Sequence, residues 1–189
     1  VTRENVPMAQ FWKRLIDSAS AHRRPDPPVM AAVAAVIGVD EPHLLAWGEG
    51  HHGDTPVTVV AVDEGLALVD PQGGAEAVAW HEVVRGGWRE EGSTLWWSFL
   101  DQQSDEVRLE EPGDLPEVFN DRVTASIVVR EPVPAEGGTV VIAGRRRLGR
   151  LDTGQILWTV IADGDADLTS PDIERRVLDR TAALQKEWR

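Results

Sequence analysis

Val57-Thr58-Val59-Val60-Ala61-Val62, Asp63-Glu64-Gly65 and Leu66-Ala67-Leu68-Val69 follow one another without a break. Two runs rich in β-branched and aliphatic residues flank an acidic, glycine-ended turn, which predicts a β-hairpin. Working outward, His43-Leu44-Leu45-Ala46-Trp47 reads as a preceding strand, joined by the polar, glycine-rich loop Gly48 to Thr55. On the other side, Asp70-Pro71-Gln72-Gly73-Gly74 has the chemistry of a turn, and Ala75 to Val84 follows as the next strand. Gly86-Gly87 reads as a bend before Trp88. Leu95, Trp97 and Phe99 alternate with Trp96, Ser98 and Leu100, so that strand is apolar on both faces and needs cover on each. In Glu106 to Glu110, Val107 and Leu109 alternate with charges, the pattern of a half-exposed strand. Six short strands are thus expected between 43 and 110.

Helices are expected on both sides of this meander. Asp114-Leu115-Pro116-Glu117 resembles a capping box, and Leu115, Phe119, Val123 and Ile127 then recur every four residues, predicting a capping helix over 115–129. Met8, Phe11, Trp12, Leu15, Ile16 and Ala19 lie on one face of a helix over 7–22. The Pro-rich stretch 22–28 reads as a linker, and Val29 to Ile37 as either a short helix ending at Gly38 or a connector. Arg130-Glu131-Pro132-Val133-Pro134 reads as a second linker. Beyond it, Thr139 to Leu148 and Gln155 to Ala162 form a hairpin, and Ser170-Pro171-Asp172 starts a last helix carrying Ile173, Val177, Leu184 and Trp188 on one face. The expected organisation is 1–28 as helix and linker, 29–130 as sheet with capping helix, and 131–189 as hairpin and helix packed on that sheet. The fold class is α+β.

Composition narrows the functions. The 189 residues are 42% hydrophobic and 27% charged, with 32 acidic residues against 19 basic ones and a net charge of -13. That field repels phosphate backbones and anionic membrane surfaces, so neither nucleic acid nor membrane insertion is expected. There is no Cys, which removes thiolate nucleophiles and Cys-ligated metal sites and fits a reducing, cytoplasmic setting. Val1 to Gln10 lacks the pattern of a signal peptide. The longest apolar run, Val29 to Val39, is about half of the roughly 20 residues a membrane helix needs.

The strands and helix from 43 to 129 resemble the bacterial PH-like domains, and more narrowly a group of uncharacterised actinobacterial proteins. The residues that carry the likeness are Leu44-Leu45-Ala46-Trp47, Gly65-Leu66-Ala67-Leu68-Val69 and Val78-Ala79-Trp80-His81-Glu82-Val83 with Trp88. Arg122-Val123-Thr124-Ala125-Ser126 and the Trp158 strand add to it. The resemblance implies an antiparallel sheet or partial barrel closed by a helix. Lipid-binding members of that family use Lys and Arg around the loop between the first two strands; here Gly48 to Thr55 carries neither. The family therefore implies a fold and leaves the ligand open.

Four constellations bear on chemistry. Asp163, Asp165 and Asp167 alternate, with Glu174 at the twelfth position, the oxygen-ligand spacing of a calcium loop. Leu168 stands where that loop needs Gly and Pro171 follows, so a solvated turn opening the last helix is the competing reading. His51 and His52, with Glu49, Asp54 and His43, offer zinc ligands or the base of a hydrolase, but neighbours on a strand point to opposite sides and no H-E-x-x-H or G-x-S-x-G is present. Arg145-Arg146-Arg147 and Arg150 form the densest basic run; Arg145 and Arg147 are expected to share a hairpin face, either as a phosphate clamp or paired with the surplus acids. Trp96 faces away from Trp97, to be covered by helix 7–22 or by a partner, including a second copy of the chain. Gly86-Gly87 and Gly137-Gly138 lack the spacing of nucleotide loops. The sequence thus points to a non-catalytic binding or scaffolding module for a protein or small ligand, with no cofactor. The alternatives are a metal-dependent enzyme at His51/His52 and a phosphate or lipid-headgroup binder at Arg145–Arg150.

Overall fold

The computed structural model describes residues 24–188, so the expected helix over 7–22, Trp12 included, lies outside the described residues. In chain order the elements are α1 (Pro27–Ile37), β1 (Leu44–His52), β2 (Thr55–Val62), β3 (Gly65–Val69) and β4 (Ala75–Ala79). A 3-10 turn at Trp80–Glu82 leads to β5 (Arg85–Arg89), β6 (Thr94–Ser98), β7 (Ser104–Leu109) and α2 (Leu115–Ala125). Then come β8 (Ile127–Ala135), β9 (Gly138–Arg146), a second 3-10 turn at Gly149–Leu151, β10 (Ile156–Gly164) and α3 (Pro171–Glu187). The class is α+β, and every strand pairing is antiparallel.

The first sheet has seven strands in the order β4-β3-β2-β1-β7-β6-β5. β1 pairs with β2 along its length but meets β7 only at Gly50–Leu109 and His51–Arg108, so the meander is two antiparallel ribbons joined at one short seam. β2 is apolar on both faces because both are covered. Val57, Val59 and Ala61 face the core that Leu115 and Phe119 of α2 complete. Val60 and Val62, with Ala67 and Val69 of β3, face α1 through Val33. The 29–37 stretch is therefore a helix: prolines are tolerated in its first turn, and Gly38 ends it at φ 80 with its N–H on the Ala34 carbonyl.

Phe119 is the hub of the main core. Its ring meets Trp80 edge-on at 5.8 Å and Trp97 at 6.4 Å. All three are essentially buried. Backbone must pass close to this ring, and Gly86 makes that possible: a Cβ there would lie 2.8 Å from Phe119 Cζ and 2.9 Å from the Trp96 carbonyl. The Gly86-Gly87 pair is thus not a bend but part of β5, and the meander has seven strands where the sequence suggested six.

Three other expectations change. The capping helix stops at Ala125, and Ile127 belongs to β8. Asp114 makes no side-chain cap, because it sits at φ -88, ψ -2, whereas a capping side chain needs an extended backbone. The expected linker at Arg130–Pro134 is the middle of β8, which pairs with β9 and leaves its other side open in the order β10-β9-β8. Prolines two residues apart remove donors from one lateral side only, and an edge strand has one side to spare. The expected hairpin is therefore a three-stranded sheet. Ile173, Val177 and Leu184 of α3 pack on it with Val129, Val133, Val140 and Ile142, while Trp188 stays half exposed beyond the helix end.

Phe119→Ala should cost about 3–5 kcal/mol in urea unfolding, as expected for emptying a buried aromatic site. Leu100→Ala, at a side chain 54% exposed, should stay within about 0.5 kcal/mol.

Candidate functional site

Three arginines tie the two sheets together, and none of them does so through a carboxylate side chain at its guanidinium. Arg145, in the last turn of β9, is 3% exposed. It donates from Nη1 to Ser126 Oγ and from Nη2 to the Val84 carbonyl, each at 3.3 Å, while its Nε has no partner among the described residues. Burial lowers its pKa from the ordinary arginine value, and the charge of Arg130 adds to that. Arg85 of β5 donates to the Ala162 carbonyl of β10 at 2.7 Å. Arg150 donates to the carbonyls of Asp40 and Glu41 at 2.6 and 2.9 Å, and its backbone N–H meets Glu64 Oε1 at 3.0 Å.

Where the sheets face each other they leave a cleft of about 240 Å³. Arg85, Arg130 and Arg145 line it together with a single acid, Asp163. Ile127, Val141 and Ile161 form its apolar wall. Arg130 and Asp163 are exposed, and neither side chain makes a hydrogen bond or ion pair with a described residue. A smaller recess of about 150 Å³ lies on the far side of the joint, between the end of α1 and the 147–151 strap, with Glu64, Glu82 and Arg147 at its wall. Glu64 is 6% exposed and one of its oxygens, Oε2, is buried without a partner. His81 is also buried, and its Nδ1 has no partner among the described residues. Desolvation pushes the His81 pKa down; Glu82 opposes this, and Arg147 and Arg145 reinforce it.

The residues singled out from the sequence do not all converge. Arg145 is buried and Arg147, one residue beyond the end of β9 at Arg146, is exposed; the charges of both act on His81. Arg146 points outward to Asp152 at 3.6 Å. His51 and His52 lie at the end of β1 on opposite sides, His52 at 2.7 Å from Asp105 and His51 at 3.9 Å from Glu110, while His43 meets Asp63 at 3.1 Å. Glu49 accepts from Thr58, and Asp54 lies in the β1–β2 turn. Asp163 ends in the cleft, whereas Asp167 accepts from the N–H and hydroxyl of Thr169 at 2.8 and 2.7 Å, bonds that lower its pKa. Asp165 is fixed by its N–H on the Gly137 carbonyl, and Glu174 sits in the first turn of α3. Among the described residues no group of three or more His, Asp and Glu is placed to hold a metal ion. Trp96 is half-buried and its ring is covered by the Arg89 guanidinium at 5.0 Å, a cation–π contact.

Arg85, Arg130, Glu64 and His81 were not singled out by sequence reasoning. Arg85 adjoined an apparent bend and Arg130 an apparent linker, and nothing local marks either as lining a cleft. The chain matches no family model and none of the curated proteins. No helix among the described residues is long and apolar enough to cross a membrane.

His81 supplies a pH signature. Its folded pKa lies below the unfolded value, so the unfolded chain takes up a proton first as pH falls. Stability should be full above the unfolded value and decline as pH drops through about 6.5 towards the folded pKa. Urea melts between pH 7.5 and 5 should show this slope reduced in His81→Gln.

Proposed function

We propose that this protein is a non-catalytic binding module that takes a small ligand in the cleft between its two sheets. One observation carries the reading. The cleft combines an apolar wall of Ile127, Val141 and Ile161 with guanidinium groups from three separate strands, two of them already spent on holding the cleft open. Binding pockets are built this way, with apolar area for affinity and a few placed polar groups for orientation. Strands from both sheets frame it, so its geometry is set before any ligand arrives, which limits the ordering cost of binding.

Within this reading the seven-stranded sheet and α2 are a PH-like scaffold. The support is the strand order, the short β1–β7 seam and the helix that follows β7 directly and seats Phe119 in the core. The ligand site would then sit on the added three-stranded sheet and not at the β1–β2 turn, which holds Gly53 and Asp54 and no Lys or Arg. A cytoplasmic setting agrees with the absence of Cys.

A ligand-observed NMR screen of small aromatic and aliphatic fragments against the full chain tests the proposal. Hits should disappear with Ile161→Glu, which places a charge on the half-buried apolar wall, while the melting temperature changes little. Hits that persist unchanged in that variant would place binding elsewhere and defeat the reading.

A further inference from the structure

We infer that the cleft is selective for a dianionic group, a phosphate monoester carried on a small apolar body. The inference rests on the binding-module reading and adds the ligand's chemistry. Three guanidinium charges face one carboxylate, so the cleft holds a surplus of two positive charges in a chain whose total is -13. Arg85 and Arg130 are exposed, but the third member of the surplus is buried. Arg145 is 3% exposed, bonded only to a hydroxyl and a carbonyl, and pressed by the like charge of Arg130. A guanidinium removed from water is stabilised best by an anion, and here no described side chain supplies one to it.

The size of the surplus selects the ligand's charge. A carboxylate would neutralise one of the two, whereas a phosphate monoester near neutral pH carries between about -1.5 and -2. Its terminal oxygens suit the donors of Arg130 on β8, while Arg85 on β5 and Arg145 on β9, whose hydrogen bonds go to carbonyls and a hydroxyl, add positive charge from two other directions. Arg130 has no other engagement among the described residues, so it closes on the anion without giving up a bond. The wall of Ile127, Val141 and Ile161 asks for more than inorganic phosphate, because bare anion would leave that surface facing water. The chain's overall negative field does not cancel the site: exposed charges beyond about 8 Å are screened at physiological salt, whereas the buried Arg145 charge is screened much less.

Titration calorimetry on the full chain with phenyl phosphate, benzoate and inorganic phosphate tests this. Phenyl phosphate should bind about tenfold more tightly than either of the others, the difference that one added charge-assisted contact or a buried ring supplies. Arg130→Gln, at an exposed position, should keep the melting temperature and lose about tenfold of the phenyl phosphate affinity. Vesicles containing phosphatidic acid should not bind; binding that Arg130→Gln abolishes would assign the site to a lipid headgroup and overturn the soluble ester. Equal affinity for benzoate, lost in Ile161→Glu, would overturn the dianion and leave the cleft a binding site. Phenyl phosphate affinity unchanged in Arg130→Gln would overturn the site itself.

Discussion

A guanidinium buried in a protein costs several kcal/mol unless its donors are met, and an arginine is kept inside only where it does something an apolar residue does not. Arg145 sits at that position here. Its two Nη atoms hold the start of β8, through Ser126, to the backbone just before β5, through the Val84 carbonyl. One fork of donors thus ties the two sheets near the point where the chain passes from one to the other. Arg85 repeats the arrangement towards β10, and Arg150 ties the strap after β9 to the loop after α1. Each uses at least one backbone carbonyl as acceptor, which cannot swing away as a carboxylate side chain does. The cost is that positive charge accumulates at the joint, and the cleft inherits it.

The first sheet answers a different constraint. β2 and β3 carry apolar side chains on both faces, so two layers of helix are needed, and α1 and α2 supply one each. On β6 it is the face carrying Leu95 and Trp97 that packs with α2. There the outward face of Trp96 is closed by the Arg89 side chain, which in turn is anchored to Glu106 at 2.7 Å. A stacked guanidinium satisfies an aromatic face without excluding water from its rim. Among the described residues this guanidinium is what lies over the Trp96 ring; the helix over 7–22 expected to cover it lies outside them.

The distribution of charge follows from these two solutions. With 32 acids and 19 basic residues, acids are plentiful, yet the guanidinium groups of Arg85, Arg145 and Arg150 donate to backbone carbonyls and a hydroxyl. Glu64 is the exception: it is drawn inward to receive the Arg150 N–H, and its second oxygen has no partner among the described residues. The two ends of the joint thus have opposite character, cationic in the cleft and mixed at the smaller recess.

Much of this was legible in the sequence. Hydrophobic period and turn chemistry determined the α+β class, the 57–69 hairpin, the seat of Leu115 and Phe119, and the final amphipathic helix, because those signals lie within a few residues of one another. Other features were misread where two local rules competed. Pro132 and Pro134 signalled a linker, but on an edge strand their missing donors face the open side; Gly86-Gly87 signalled a bend, but the glycine is needed for clearance against a ring 33 residues away. The run at 145–147 showed an arginine cluster without showing which member would be buried, since that depends on where β9 ends. The cleft was beyond local reading altogether. Arg85, Arg130, Arg145 and Asp163 come from four strands, and only the packing of one sheet against the other brings their charges within reach of a single ligand. Composition fixed the sign of the molecule's net charge; tertiary structure decided where that sign reverses, because a local field depends on distances that sequence order does not contain.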